Sequence, residues 1–358
     1  MVSFNQVDPI LQSDKVHPDD FEFELPEENI AKYPSDPRDS SKLLVLPRTG
    51  EAPEETVFTD ITEYLDPGDV LVANNTHVFP AKFQAIKVDN GDPINIFLVR
   101  ELNPNTWEAM VDPARKVRIG NSIRFDNEIE CDVIDNTVSS GRVLRFEGDG
   151  EVIRAKLAEI GNAPLPPYIK RDPEPEDKER YQTIFAKEPG SVVAPSAGLH
   201  FTESLIGSLE DKGVDIVEIT LHLGLEAYEP ITISDLSKYD MQGERFRISN
   251  DAVNRLNKAK KEGNRIIAVG ASTVRALEST QYQGEIIVQR ENWTDLFVYP
   301  PFNFQMVDGL ITNFQQPRSA TMILQSAFYY KEGLLEAYQH ALNDEFQFLG
   351  FGDAMLII

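Results

Sequence analysis

FQAIKVDNGDPINIFLVRELNPNTWEAMVDP, residues 83–113, decides the fold. Short runs rich in Val, Ile and Phe alternate with polar positions and are cut by Gly, Asn, Asp and Pro, the pattern of half-buried strands joined by tight turns. The texture continues downstream through VRIGNSIRF (117–125), IECDVID (129–135) and RVLRFEGDG (142–150), and upstream through DVLVANN (69–75). Turn signals recur every ~8–12 residues with no helical period of useful length between them, which predicts a small β-barrel over residues 70–155. DNG at 89–91 and EGDG at 147–150 read as hairpin turns.

On both sides helices and strands alternate, the mark of a layered α/β domain. A short helix is predicted over 26–32, then a strand at LLVL (43–46). A Pro-rich, charged connection covers 164–180. Thr202 and Gly213 bracket a helix over 203–212 as N-cap and C′ residues. Strands follow at 214–225, 265–270, 308–314 and 354–358, with helices over 250–262, from Ser272 or Thr273, over 319–330 and over 332–343. The last carries one apolar stripe of Leu334, Leu335, Tyr338, Ala341 and Leu342. The expected fold is therefore α/β: a layered α/β domain built from 21–69 and 156–358, a barrel of 70–155 inserted into it, and a polar extension over 1–20. A cleft between two such units is the default ligand site.

With 59 acidic and 34 basic residues the net charge is −25, so the basic footprint of a general polyanion binder is missing. Arg115, Lys116 and Arg118 read as an exposed loop face. No apolar run of 18 residues predicts a membrane span. The single cysteine, Cys131, forms no intramolecular disulfide, fits a cytoplasmic protein, and reads as a small buried hydrophobe.

The chemistry concentrates in a few strings. SVVAPSAGLHFT (191–202) places Ser196, Gly198 and His200 just before a helix start at Thr202, where backbone N–H groups can meet an anion and His200 can exchange a proton. AVGASTVRALES (268–279) ends an apolar strand in Ser272 and Thr273, with Arg275 and Glu278 one turn in; a simple Arg275–Glu278 ion pair is the blander alternative. In DGLITNFQQPRS (308–319) Asp308 opens a strand, Asn313 closes it and Arg318 begins the next element. Asp353 precedes the last strand, and His222 lies in LHLGL (221–225), where a core histidine is the commoner reading. There is no P-loop, dinucleotide fingerprint or zinc-ligand spacing, so no metal is expected.

Taken together, FEFELPEENIAKYP (21–34), PRDSSKLLVL (37–46), PPYIKR with ERYQTIFA (166–186), VVAPSAGLHFT, LHLGL, AVGASTVRALES, LITNF and GFGDAMLI resemble the S-adenosylmethionine:tRNA ribosyltransferase-isomerase family of queuosine biosynthesis, from about Phe21 to the C-terminus. The resemblance implies an α/β domain with an inserted six-stranded barrel. It implies transfer of the ribosyl part of S-adenosylmethionine to 7-aminomethyl-7-deazaguanine at a tRNA wobble position, with loss of adenine and methionine and no cofactor beyond that substrate. His200, Glu278, Asp308 and Asp353 would supply base, acid or anchoring functions. Arg38, Ser196, Gly198, Thr202, His222, Ser272, Thr273, Arg275, Asn313 and Arg318 would bind substrate, with Arg275 and the helix N-termini on the methionine carboxylate. S-adenosylmethionine and tRNA are the implied partners of a monomer. The chain departs from the family pattern at Asn75, His77, Lys82, Gln242, Gly243, Asn303, Gln305, Gln315 and Gln339, mostly by losing a base or a positive charge. A divergent paralogue that binds S-adenosylmethionine for a small acceptor, or without chemistry, is the alternative.

Overall fold

The computed structural model describes residues 16–125, 129–137, 141–282, 284–287 and 291–358. Most of the predicted 1–20 extension lies outside them. Its last residues are packed: Pro18–Phe21 forms a 3-10 turn capped by His17, and Phe21 is fully buried.

Local pairing builds the barrel. Six strands, Lys82–Lys87, Pro93–Asn103, Thr106–Asp112, Ser122–Arg124, Glu130–Asn136 and Arg142–Phe146, pair antiparallel and close on themselves. Alternation turns Phe83, Ala85, Ile94, Ile96, Leu98, Ala109 and Val111 inward, and Cys131 sits in the same core with its thiol pKa pushed up by burial, an inert packing residue. DNG at 89–91 does turn the first hairpin. EGDG at 147–150 does not: Asp149 caps the helix Gly150–Ile160 by accepting from the N–H groups of Glu151 and Val152.

The barrel begins later than expected. Val70–Asn74 is buried at every position and lies within a nine-stranded sheet, between Asp215–Leu221 and Ile266–Val269. The order across that sheet is Asn292–Thr294, Glu244–Arg247, Asp215–Leu221, Val70–Asn74, Ile266–Val269, Gly309–Asn313, Ala354–Ile357, Lys42–Leu46, Glu54–Val57. Its four middle strands, 215–221 to 309–313, run parallel. Val70 and Val72 point to one face, under the helices Asn250–Glu262, Ala271–Glu278, Ala320–Phe328 and Lys331–Asn343. Leu71 and Ala73 point to the other, against Leu205 and Leu209 of Glu203–Lys212. Cover on both faces explains why these strands read as unbroken apolar runs. The helix expected over 26–32 is only a three-residue 3-10 turn, because Ile30 pairs with Phe348 in a β-bridge. Among the described residues no helix is long and apolar enough to cross a membrane.

The two ends of the barrel insertion meet at one seam. The Asn162 N–H donates to the Lys82 carbonyl at 2.8 Å, and the Asn162 carbonyl accepts from the Lys82 N–H at 3.2 Å. A Cβ on neighbouring Gly161 would stand 1.9 Å from the Pro80 carbonyl oxygen. Backbone must therefore move to admit any side chain. Gly161→Ala is expected to cost about 1–3 kcal/mol by overpacking, read as a lower denaturant midpoint at unchanged slope; an unchanged midpoint would contradict this close approach.

Candidate functional site

Parallel strands deliver their C-terminal ends to one edge of the sheet, where ligands of open α/β folds collect. The loops leaving three of those ends supply Leu223, Gly270–Ser272 and Gln315–Gln316, and the cleft they line is completed by Ala194–Ala197, Leu349–Gly350 and the tyrosines 168, 181 and 228. About 690 Å³ of space lies between its walls, part of it open solvent. Among the described residues no barrel strand lines it, but Val193, Leu223 and Tyr228 pack against the barrel core from its rim. Asn74, at the end of its strand, donates to the Ser272 hydroxyl (3.1 Å) and the Leu221 carbonyl (2.9 Å), and accepts from the N–H groups of Thr76 and Leu221. One buried amide thus ties three loops together. Gly270 has φ +84°, a conformation that glycine adopts at little cost, and it opens the Ala271–Glu278 helix into the cleft.

Of the expected site residues, Ser196 and Ser272 line this cleft. His200 stands behind it, buried, stacked on Phe58 and bonded through Nδ1 to the Ser41 hydroxyl (2.8 Å) and through Nε2 to the Asn313 amide nitrogen (3.1 Å). Asn313 Nδ2 also donates to the Leu349 carbonyl at 3.0 Å. With Asn313 Nδ2 the donor, Nε2 accepts and Nδ1–H donates to Ser41, which defines a neutral tautomer. Burial holds the imidazole pKa down to about 4.

The four expected acid–base residues are not brought together. Asp308 lies at the opposite, N-terminal end of the Gly309–Asn313 strand, where it accepts from the Ile266 N–H (2.8 Å) and pairs with Lys260 (3.1 Å). Glu278, at the far end of its helix, accepts from the N–H groups of Gln305, Met306 and Val307 at 2.9–3.0 Å. Burial raises its pKa. Asp353 accepts from the N–H groups of Lys42 and Gln347, both at 2.7 Å, closing the loop that carries Leu349 and Gly350; burial raises its pKa too. Catalytic roles for these carboxylates do not follow from such positions.

Several expected binding residues are likewise engaged elsewhere. Arg275 pairs with Glu244, not Glu278, and donates to the Leu296 and Thr294 carbonyls. Arg38 donates to the Gln182 and Glu179 carbonyls, and Arg318 pairs with Asp19 and Glu22. Thr202 caps its helix and donates to Asp39 (2.6 Å), while Thr273 donates to the Val269 carbonyl (2.8 Å). Gly198 makes room for Thr183, not for a ligand: a Cβ there would stand 2.9 Å from the threonine methyl carbon. His222 bonds Thr76 at 2.9 Å under Gly190, and burial lowers its pKa. Arg115, Lys116 and Arg118 are exposed, as read from sequence.

The tyrosines and Asn74 were not expected as site residues. Tyr168 belongs to PPYIKR and Tyr181 to ERYQTIFA, so proximity to family-like blocks was the one available signal; nothing marked Tyr228.

The family model described as "Queuosine biosynthesis protein" matches residues 18–357. An S-adenosylmethionine:tRNA ribosyltransferase-isomerase of Chloroherpeton thalassium is 46% identical over 341 residues, spanning 94% of this chain and 99% of that protein. Another of that name, from Flavobacterium psychrophilum, is 46% identical over 344 residues, 94% of this chain and 99% of its own. The crystal structure of S-adenosylmethionine tRNA ribosyltransferase from Thermotoga maritima superposes with a TM-score of 0.54 at 34% identity, covering 95% of this chain and 100% of that one.

Proposed function

This chain belongs to the queuosine biosynthesis protein family, and we propose that it is a transferase that moves the ribosyl part of S-adenosylmethionine onto 7-aminomethyl-7-deazaguanine at a tRNA wobble position, releasing adenine and methionine. The observation that carries the reading is the cleft at the strand C-termini, built from the same SAG and GAS strings that carry the family likeness. Identity of 46% over nearly the whole of both chains favours this activity over a paralogue with a small acceptor. In this reading the enzyme works as a cytoplasmic monomer and needs no cofactor beyond its substrate.

The sulfonium acidifies the adjacent 5′ C–H, and the departing adenine benefits from a hydrogen-bond donor. The N-terminus of the Ala271–Glu278 helix suits the methionine carboxylate. The hydroxyls of Ser196 and Ser272 suit the ribose and the leaving base. We assign His200 to positioning: neutral, and held between Ser41 and Asn313, it fixes the loop that presents Ser196.

Adenine release tests the proposal. Release from S-adenosylmethionine is expected only with tRNA bearing the aminomethyl base, and Ser272→Trp, which fills the cleft, is expected to lower it by ~100-fold or more. Release that proceeds without that tRNA, or that survives the tryptophan, overturns the reading.

A further inference from the structure

The ligand proposed for this cleft is a cation at sulfur, yet among the described residues no carboxylate lines the walls; neither does any imidazole, ammonium or guanidinium. Two half-buried tyrosines stand there instead. The rings of Tyr168 and Tyr228 lie 5.7 Å apart at 84°, making an aromatic corner on the cleft wall. Their hydroxyl oxygens each hold one bond. Tyr168 accepts from the Gly350 N–H at 3.0 Å, and Tyr228 shares a 2.5 Å bond with the hydroxyl of buried Tyr181, which in turn accepts from the Ala194 N–H. The corner therefore offers a ligand ring surface, together with the Tyr168 O–H, for which no acceptor stands among the described residues.

Resting on the activity proposed above, we infer that the Tyr168–Tyr228 corner is the element that selects the positively charged sulfonium over an uncharged thioether. An aromatic face attracts a cation by its quadrupole, and the attraction strengthens where water is excluded. A carboxylate would also attract the sulfonium, but it would set a base against every C–H that the sulfur acidifies. Rings attract the charge without offering a competing base. The phenols here keep their protons, since burial pushes Tyr181 up to about 12 and raises Tyr168 and Tyr228 as well.

The test compares S-adenosylmethionine with S-adenosylhomocysteine, its thioether. Dissociation constants are measured on the full chain by equilibrium dialysis, with saturating tRNA that lacks the acceptor amine so that nothing turns over. The unsubstituted protein is expected to prefer the sulfonium. Tyr168→Leu and Tyr228→Leu should each weaken S-adenosylmethionine about 10-fold, the range of one desolvated cation–π contact, and leave the thioether within about 2-fold. Tyr168→Phe and Tyr228→Phe, which keep the ring and the fold, should retain the preference. The inference falls if the protein shows no preference, if the leucine variants weaken both ligands alike, or if the phenylalanine variants lose as much as the leucine ones. Ser272→Trp separates the two readings: if it leaves S-adenosylmethionine binding intact, the cleft is not the site and both fall; if it abolishes binding while the tyrosine variants fail as described, only the corner does.

Discussion

Glu244→Ala is expected to destabilise the protein by about 3–5 kcal/mol, the cost of leaving a buried charge without its partner. Arg275 keeps only 7% of its side chain exposed and Glu244 12%. One carboxylate oxygen of Glu244 takes the guanidinium and the other accepts from the Gly224 N–H at 3.0 Å. Alanine would strand both donors. The remaining bonds of Arg275, to the Leu296 carbonyl (2.9 Å) and the Thr294 carbonyl (3.3 Å), satisfy hydrogens but not charge. Glu244→Gln keeps the hydrogen-bond geometry and should cost roughly half as much. Glu244→Leu with Arg275→Met should cost less than the sum of its parts, since replacing both ions removes the uncompensated charge. Chemical denaturation of these variants, of Glu244→Leu and Arg275→Met singly and of the unsubstituted protein measures this, and a loss under ~1 kcal/mol for Glu244→Ala would contradict the buried pair. The effect reaches function because the Ala271–Glu278 helix enters the cleft at Gly270 and is anchored by Arg275 one turn on.

Arg275 also shows what a sequence can and cannot declare. Its pairing to Glu278, three residues away, was the local guess; the partner lies 31 residues away on a neighbouring strand. The same distinction runs through the fold. Barrel hairpins were legible because each strand pairs with a near neighbour in the chain, so alternation and turn residues carry the information. Val70–Asn74 was assigned to the wrong sheet because an all-buried run reads as a strand and says nothing about partners, which here lie beyond residue 214. Gly150–Ile160 was missed because it buries only Gly150, Ile153 and Leu157, a stripe too sparse to register beside EGDG.

At the cleft, Ser196 and Ala197 of SAG and all of GAS line the walls, whereas Gly198 packs against Thr183. Titratable type misled. Asp308 and Asn313 stand at opposite ends of one strand, and side-chain chemistry does not say which end faces the ligand. The three tyrosines come from separate Pro-rich or charged segments, and only the tertiary fold makes them neighbours.

His200 supplies the second large effect, and its sign is fixed by burial. Its folded pKa of about 4 lies below the ordinary histidine value near 6.5. Between those limits the unfolded chain binds a proton that the folded protein refuses, so stability rises with pH there. The stabilisation is fully present above about pH 6.5 and is lost as pH falls towards 4, a change of about 3 kcal/mol. Asp353 and Glu278 act in the other direction, because burial raises their folded pKa values and favours the folded state as they take up protons. A variant isolates the histidine from them. His200→Gln can still donate to Ser41 and accept from Asn313 without titrating. Unfolding free energies at pH 7 and 4.5 should therefore fall by about 2–3 kcal/mol less in His200→Gln than in the unsubstituted protein; equal losses would mean that the imidazole is not held neutral. Carried to catalysis, the positioning role proposed for His200 predicts that loss of activity in His200→Gln appears as a fall in kcat with no new pH limb near 6.5.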